Sequence, residues 1–159
     1  MSVKQPGKLV SITIAGESGG PLNRLEETTL VAGKGIPGDR CYNEQGADPD
    51  KQVTLIEEEK VAEFNRETGL DVGAWQTRRN LVTQGVDLNA LRGKQFMVGD
   101  TLLEGADLCQ PCATLGGLFA TEQVPSATVV KTMVDRGGLR ATIVRGGTIR
   151  PGDRITGKE

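Results

Sequence analysis

Glycine is the feature that most constrains the fold of this chain, because 22 of its 159 residues are glycine. This share is about twice the usual ~7%. The glycines are spread along the chain, where they separate short runs of β-branched and other apolar residues. Such spacing favours many short strands joined by tight turns. The sequence therefore predicts a mostly β fold.

The clearest strand signal lies near the start of the chain, where Val10, Ile12 and Ile14 alternate with Ser11 and Thr13. This alternation is typical of a strand with one buried face. Further strands are predicted where β-forming residues cluster, at residues 53–56, 80–83, 95–98, 101–104, 127–134 and 140–145, with a last short run ending at 155–156.

One segment, residues 57–68, has the pattern of a helix. It begins with three glutamates, which suit the positive end of a helix dipole, and Val61 and Phe64 lie on one face. Gly69 is a natural residue to end the helix. A second helix, of a single turn, is predicted within residues 89–92.

Two similar segments, residues 92–102 and 145–155, each contain a short strand, a Gly-Asp turn and another strand. We interpret both as hairpins, which are common where a sheet closes on itself. No linker, composition shift or low-complexity segment divides the chain. We therefore predict a single domain over residues 1–159, with its core at about residues 8–156.

Composition excludes several classes of function. The net charge of −2 argues against broad nucleic-acid binding, and no stretch approaches the ~20 apolar residues of a membrane span. The absence of histidine excludes Ser-His catalysis and histidine metal sites. Three cysteines and no secretory leader make a disulfide framework improbable, so we expect reduced thiols and a cytoplasmic location.

The sharpest chemical motif is the Cys-x-x-Cys formed by Cys109 and Cys112. A thiol here is suited to metal binding, to dithiol redox chemistry or to carrying sulfur, and the thiolate is the reactive form. A purely structural interpretation is equally available, because free cysteines often pack as small apolar residues.

Basic residues form the second candidate site. Arg78 and Arg79 precede Asn80 and a predicted strand, and arginine binds phosphate through two parallel hydrogen bonds. Since adjacent strand residues point to opposite faces, we expect only one of the two arginines to face a given pocket. Arg40, in a Gly-Ile-Pro-Gly-Asp-Arg turn, is a further anion ligand. The structural alternatives are a solvated basic edge and plain turn chemistry.

Together these segments resemble the MOSC domain, a family named after the C-terminal domain of molybdenum-cofactor sulfurase. The resemblance runs from about residue 8 to residue 155 and depends on the order and spacing of its motifs. These motifs lie at residues 35–40, 78–82, 85–88, 91–93, 98–100, 111–112 and 146–153.

The resemblance implies a fold and a chemistry. The fold would be a closed or partly closed β-barrel with one to three short helices. Cys112 matches the signature cysteine, which would carry sulfur as a persulfide or ligate molybdenum. Arg79 and Asn80 best match the residues that hold the phosphate of the molybdenum cofactor (molybdopterin), with Arg78 and Arg40 as neighbours.

The sequence departs from the family in one respect, since Cys41 stands where many members have a histidine. No segment resembles the pyridoxal-phosphate domain of the fused sulfurases. We therefore expect any pyridoxal phosphate to belong to a separate cysteine desulfurase, and we expect that enzyme or a molybdoenzyme as a partner.

Two other functions remain open at this point. One is a thiol-redox or metal-binding module that uses Cys109 and Cys112. The other is a barrel that binds an anion or a partner without catalysis.

Overall fold

The computed structural model describes residues 7–17, 20–110 and 113–157, with the backbone alone for residues 113–115. Within these ranges the strands are β1 Gly7–Ala15, β2 Leu22–Leu25, β3 Thr28–Leu30, β4 Val53–Glu57, β5 Leu81–Gln84, β6 Gln95–Val98, β7 Thr101–Leu108, β8 Leu139–Arg145, β9 Gly147–Ile149 and β10 Arg154–Gly157. The helices there are α1 Glu58–Thr68, α2 Ala113–Phe119 and α3 Ser126–Met133. The prediction of a mostly β fold with a few short helices is confirmed.

Seven strands form a closed barrel in the order β10-β6-β7-β8-β4-β5-β1. The ring closes where β1 pairs with β10, with Gly7 opposite Ile155. The β4–β5 pair is parallel and the other pairs of the ring are antiparallel. Strand β2 extends the sheet beyond β1, and β3 pairs separately with β9. The predicted barrel is therefore closed.

The barrel interior is filled by alternate residues of its strands. In β4, Val53 and Leu55 lie in the interior core, so Thr54 between them faces outward. In β8, Leu139 and Ala141 lie in the same core, and Arg140 faces outward between them. The two outward residues are paired in register across β4 and β8. This alternation places polar side chains side by side on the outer face of the barrel.

A second apolar layer covers another part of the outer face. Ile56 of β4 packs there with Phe64 of α1 and with Val129 and Met133 of α3. Helix α1 agrees with the predicted segment and ends at Gly69, whose φ of 78° is the left-handed conformation that glycine adopts readily. Three short 3-10 turns, Pro49–Lys51, Ala74–Thr77 and Leu88–Leu91, connect other elements. The last of these corresponds to the predicted single-turn helix.

The predicted strand at residues 127–134 is wrong, because this segment belongs to α3. Its β-branched residues favour a strand locally, but Val129 and Met133 lie four residues apart and form one buried helix face. Helix α2 was missed because Gly116 and Gly117 are poor helix formers.

The two repeated segments adopt different structures. Residues 92–102 contain the β6–β7 hairpin as predicted. The second predicted hairpin is wrong, because β9 pairs with β3 whereas β10 pairs with β6 and β1. Among the described residues, no helix is long and apolar enough to cross a membrane.

Candidate functional site

A cleft of about 580 Å³ lies beside the outward-facing polar residues of the barrel. Its wall includes Thr13 of β1, Thr54 of β4 and Arg140 of β8. Loop residues complete the cleft, from the turn that holds Arg40, from the segment before β5 and from the end of β7. Apolar side chains also line the cleft, among them Ile14, Leu22 and Leu118. The cleft thus joins elements that are far apart in the sequence.

The cleft concentrates positive charge in a chain whose net charge is −2. Its basic residues are Arg40, Lys51, Arg78, Arg79 and Arg140, and its acidic residues are Asp39 and Asp50. Within the described part of the chain, Arg140 pairs with Asp50 and Lys51 pairs with Asp48. No described carboxylate forms an ion pair with any of the other three arginines. Their charges are therefore available to an anion.

Arg79 is held by backbone carbonyl groups. Its Nε donates to the carbonyl oxygen of Gly137 at 2.8 Å, and Nη1 donates to that of Thr77 at 3.4 Å. These bonds orient the guanidinium without neutralising its charge. Arginine held in this way is ordered before a ligand arrives, which lowers the entropic cost of binding.

Arg78 also lines the cleft, so the prediction that only one of the two arginines faces a pocket is wrong. The reason is its backbone, since Arg78 has a φ of 66°, in the left-handed region, and lies before β5 begins. The alternation of a strand does not apply there. Its Nη2 donates to the carbonyl oxygen of Gly20 at 2.8 Å.

Asn80 is buried, and its amide is occupied by contacts within the protein. Oδ1 accepts hydrogen bonds from the backbone N and the hydroxyl of Thr54 at 3.0 and 3.1 Å. Nδ2 donates to the carbonyl oxygen of Thr13 at 3.1 Å and to Asp39 Oδ1 at 3.4 Å. Asn80 therefore joins β1, β4 and the Asp39 turn, while its predicted contact with a phosphate stays a prediction.

The turn that contains Arg40 is held by Asp39. Its carboxylate accepts hydrogen bonds from the backbone N of Ala15 at 3.1 Å and from that of Cys41 at 3.2 Å. The Arg40 side chain is exposed, and no hydrogen bond or ion pair links it to any other described residue. Cys41 is half-buried and lines the same cleft as Cys109, a proximity that the sequence could not reveal.

Cys109 is only 4% exposed. Burial raises the pKa of its thiol above the ordinary value, although the charge of Arg79 and a hydrogen bond with Arg140 act in the opposite direction. The thiolate is the nucleophilic form of cysteine. Cys109 is therefore a poor nucleophile at neutral pH.

Cys112, the predicted reactive residue, and Pro111 lie outside the described residues. Gln110, two positions earlier in the sequence, lines the cleft. Leu118 of α2, six positions later, also lines it. Among the described residues, no three Cys, Asp or Glu side chains come together as a metal site.

Sequence reasoning missed Arg140 and Lys51 as cleft residues. A signal for Arg140 was present, because it stands between the apolar residues Leu139 and Ala141 in a predicted strand, and such a position faces outward. Lys51 carries no comparable signal, since it lies in the Pro49–Lys51 turn and reaches the cleft only through tertiary packing.

The fold is shared with several solved structures. The YuaD protein from Bacillus subtilis matches with a TM-score of 0.82 at 18% identity, over 95% of this chain and 94% of that one. YiiM from Geobacillus stearothermophilus has a TM-score of 0.71 at 17% identity, over 97% of this chain and 76% of its own. YiiM from Escherichia coli has a TM-score of 0.69 at 18% identity, over 96% and 70%.

No curated protein matches the sequence significantly. The comparison with protein families identifies the chain more specifically than its structural similarity does. The MOSC domain model matches residues 23–156, which include most of β2, all of β3 to β9 and most of β10, together with the cleft residues from Asp39 onward. By this match over most of its length, the chain belongs to the MOSC domain family.

Proposed function

We propose that the cleft binds the phosphate of the molybdenum cofactor (molybdopterin) and that Cys112 is the reactive cysteine of the domain. One observation carries this proposal. Arg40, Arg78 and Arg79 line the same cleft, and no described carboxylate forms an ion pair with them. A dianionic phosphate is the kind of ligand that such guanidinium groups bind best.

The size and composition of the cleft fit a phosphate attached to a heterocycle. Its volume of about 580 Å³ lies within the range of small-molecule sites, roughly 300–1,000 Å³. Ile14, Leu22 and Leu118 provide apolar surface for a ring system. The Thr13 hydroxyl is buried at this wall and has no hydrogen-bond partner among the described residues, so its hydrogen-bonding capacity is unsatisfied.

Arg79, with Arg78 and Arg40, would hold the phosphate. Asn80 would contribute by keeping β1, β4 and the Asp39 turn in place, because its amide is already engaged. When bound, the cofactor would supply a molybdenum centre to which soft thiolate sulfur is a suitable ligand. Cys112 is the residue that we assign to that role, or to sulfur transfer.

As a sulfur carrier, Cys112 would act through its thiolate. The thiolate attacks the outer sulfur of a persulfide on a donor protein, and a new S–S bond forms at Cys112 as the donor S–S bond breaks. The donor leaves as a thiolate, and the transferred sulfur keeps its proton. Cys109 would not compete in this step, because burial raises the pKa of its thiol.

The setting of this chemistry is part of the proposal. A cysteine desulfurase that contains pyridoxal phosphate would be the sulfur donor, and a molybdoenzyme would be the recipient. A reducing cytoplasm would keep Cys41, Cys109 and Cys112 as thiols.

The first test is sulfur loading, measured by intact and peptide mass after incubation with a cysteine desulfurase and cysteine. We expect one added sulfur on Cys112, and none in Cys112→Ser, whereas Cys41→Ser should load normally. If an alkylatable Cys112 stays unmodified, sulfur transfer from that donor is rejected. A Cys109–Cys112 disulfide at a biological redox potential would instead favour the dithiol function.

The second test measures the binding of inorganic phosphate by NMR titration. Arg79→Ala should weaken binding by about tenfold or more, because a charge-assisted pair is worth roughly 1.5–3 kcal/mol. Arg66→Ala removes an exposed arginine of α1 and serves as the matched control. Equal phosphate affinity in both variants would exclude Arg79 from the anion site.

A further inference from the structure

We propose that Asp135 and Gln110 form a positioning pair that orders Arg79 for anion binding. This inference rests on the proposed function, in which the cleft binds an anion. Neither Asp135 nor its neighbours in the turn line the cleft, so their role would be exerted through Arg79.

The pair is reciprocal. Gln110 Nε2 donates to Asp135 Oδ1 at 2.8 Å, and the backbone N of Asp135 donates to Gln110 Oε1 at 3.1 Å. Asn89 Nδ2 adds a third bond, to the carbonyl oxygen of Asp135, at 2.9 Å. The bonds hold Asp135 at a φ of 61°, a left-handed conformation that a residue other than glycine adopts at a cost.

The turn that Asp135 begins is the one that holds Arg79. The carbonyl oxygen of Gly137 accepts the 2.8 Å bond from Arg79 Nε. The carbonyl oxygen of Gly138, the next residue, accepts a 2.8 Å bond from the backbone N of Cys109. Residues 135–138 therefore fix both the Arg79 guanidinium and the strand end that leads to Gln110.

The packing of this turn leaves no room for a side chain at Gly137 or Gly138. A Cβ atom on Gly137 would lie 2.0 Å from the carbonyl oxygen of Cys109, and one on Gly138 would lie 2.0 Å from that of Leu55. Both glycines are buried. Close packing sets the position of the two glycines, and Asp135 and Gln110 anchor the residue two positions before the Gly137 carbonyl that accepts from Arg79.

Loss of the Asp135–Gln110 pair should make the Arg79 side chain less ordered while its positive charge stays in the cleft. Arginine would then have to be ordered when the anion binds, and the ordering of one such side chain weakens affinity by about two- to tenfold. The net charge of the cleft lining is unchanged by substitution at either residue. Because Gln110 itself lines the cleft and Asp135 does not, the Asp135 variant separates the position of Arg79 from a direct contact with the anion.

The experiment is a titration with inorganic phosphate, monitored by NMR at the Nε–H resonance of Arg79. Asp135→Gly removes the carboxylate and suits the positive φ, and Gln110→Ala tests the pair from the other side. We expect both to weaken phosphate binding by about two- to tenfold. The Nε–H resonance should move toward that of a solvated arginine.

Two variants should behave like the parent protein. Asp135→Asn keeps an acceptor oxygen and tolerates the left-handed backbone, so it should restore the resonance and the affinity. Gln45→Ala makes the same truncation as Gln110→Ala at an exposed site outside the cleft lining, so it should leave the resonance and the phosphate affinity unchanged.

The outcomes separate the two proposals. An unchanged Nε–H resonance and affinity in both Asp135→Gly and Gln110→Ala would overturn the positioning role. Failure of the parent protein to bind phosphate would count against the proposed anion site. In that case the Nε–H resonance in the free variants still decides whether Asp135 and Gln110 order Arg79.

Discussion

Arg140 Nη1 lies 3.6 Å from Asp50 Oδ2, and both residues line the cleft. The ion pair partly neutralises one guanidinium, in contrast to Arg40, Arg78 and Arg79. Since the side chains of the pair are nearly half exposed, at 43% and 46%, the attraction is weak and screened by solvent. An anion in the cleft would compete with Asp50 for Arg140.

We therefore predict that Asp50→Asn strengthens phosphate binding. Removing the competing carboxylate should tighten binding by about two- to fivefold at low salt, with a smaller gain at high salt. The measurement is a phosphate titration at two ionic strengths. Asp71→Asn, which removes an exposed carboxylate outside the cleft lining, controls for the change in net charge. Equal gains in the two variants would indicate a general charge effect and not a local one.

Asn80→Ala should destabilise the fold. The substitution removes the acceptor of the Thr54 backbone N and of the Thr54 hydroxyl and the donor to the Thr13 carbonyl, in a buried to partly buried region. The Thr54 hydroxyl keeps one bond, because the backbone N at position 80 still donates to it. Leaving such groups unsatisfied costs roughly 1–3 kcal/mol each when buried, so we expect a loss of about 2–4 kcal/mol in the free energy of unfolding. Urea denaturation measures this loss. A change below about 0.5 kcal/mol, typical of surface sites, would contradict the assigned role.

We expect the free energy of unfolding to fall as pH rises, because of the titration of Glu57. Burial raises the pKa of its carboxyl from 4.5 to about 7, against a smaller lowering by the hydrogen bond from the Leu88 backbone N and by Lys60; Asp87 and Glu59 raise it further. Below pH 4.5 this group is protonated in both states. Between pH 4.5 and about 7 the unfolded chain releases its proton first, so stability declines, and the loss is complete above pH 7.

The full loss from Glu57 is of the order of 3 kcal/mol, because its pKa is raised from 4.5 to about 7 and each unit corresponds to ~1.36 kcal/mol. Glu57→Gln keeps an acceptor for Leu88 and removes the titration, so its free energy of unfolding should be higher than that of the parent at pH 8. Urea denaturation from pH 4.5 to 8 measures the difference. Parallel curves for the two proteins would show that Glu57 is not the titrating group.

Cys41 should react with iodoacetamide much faster than Cys109. Cys41 is half-buried in the cleft, whereas Cys109 is 4% exposed and its thiol pKa is raised by burial. Peptide mass spectrometry after timed alkylation at pH 7 would measure the rates in the native protein, with urea-unfolded protein as the reference. Comparable native rates would contradict the burial of Cys109.

The strands of the barrel were predictable where apolar and polar residues alternate in the sequence, as at Ile12 and Thr13 or at Leu139 and Arg140. The same logic failed at residues 127–134, because local β propensity and the i, i+4 pairing of Val129 with Met133 give opposite answers, and only packing against Phe64 decides. The short strands β2, β3 and β9 carry too few residues for a pattern to be read.

The candidate site was predictable in part. The motifs identified the arginines, and Arg40, Arg78 and Arg79 do lie together. Strand register and loop packing decide that Asn80 is hydrogen-bonded within the protein. They also decide that Arg140 and Lys51 line the cleft. Those are properties of the closed barrel that no local pattern encodes.

The seam between Gly7 and Ile155 closes the ring by joining the first and last strands of the barrel. No part of the chain that lacks β10 can complete the ring, so until β10 has been made the outer edge of β6 and that of the first residues of β1 lack a partner strand, whereas β2 covers the later residues of β1. A contact between residues so distant in sequence forms slowly, because its loop must close first. Before β10 has joined the sheet, the unpaired edge of β6 and the first residues of β1 are therefore the places where chains would aggregate.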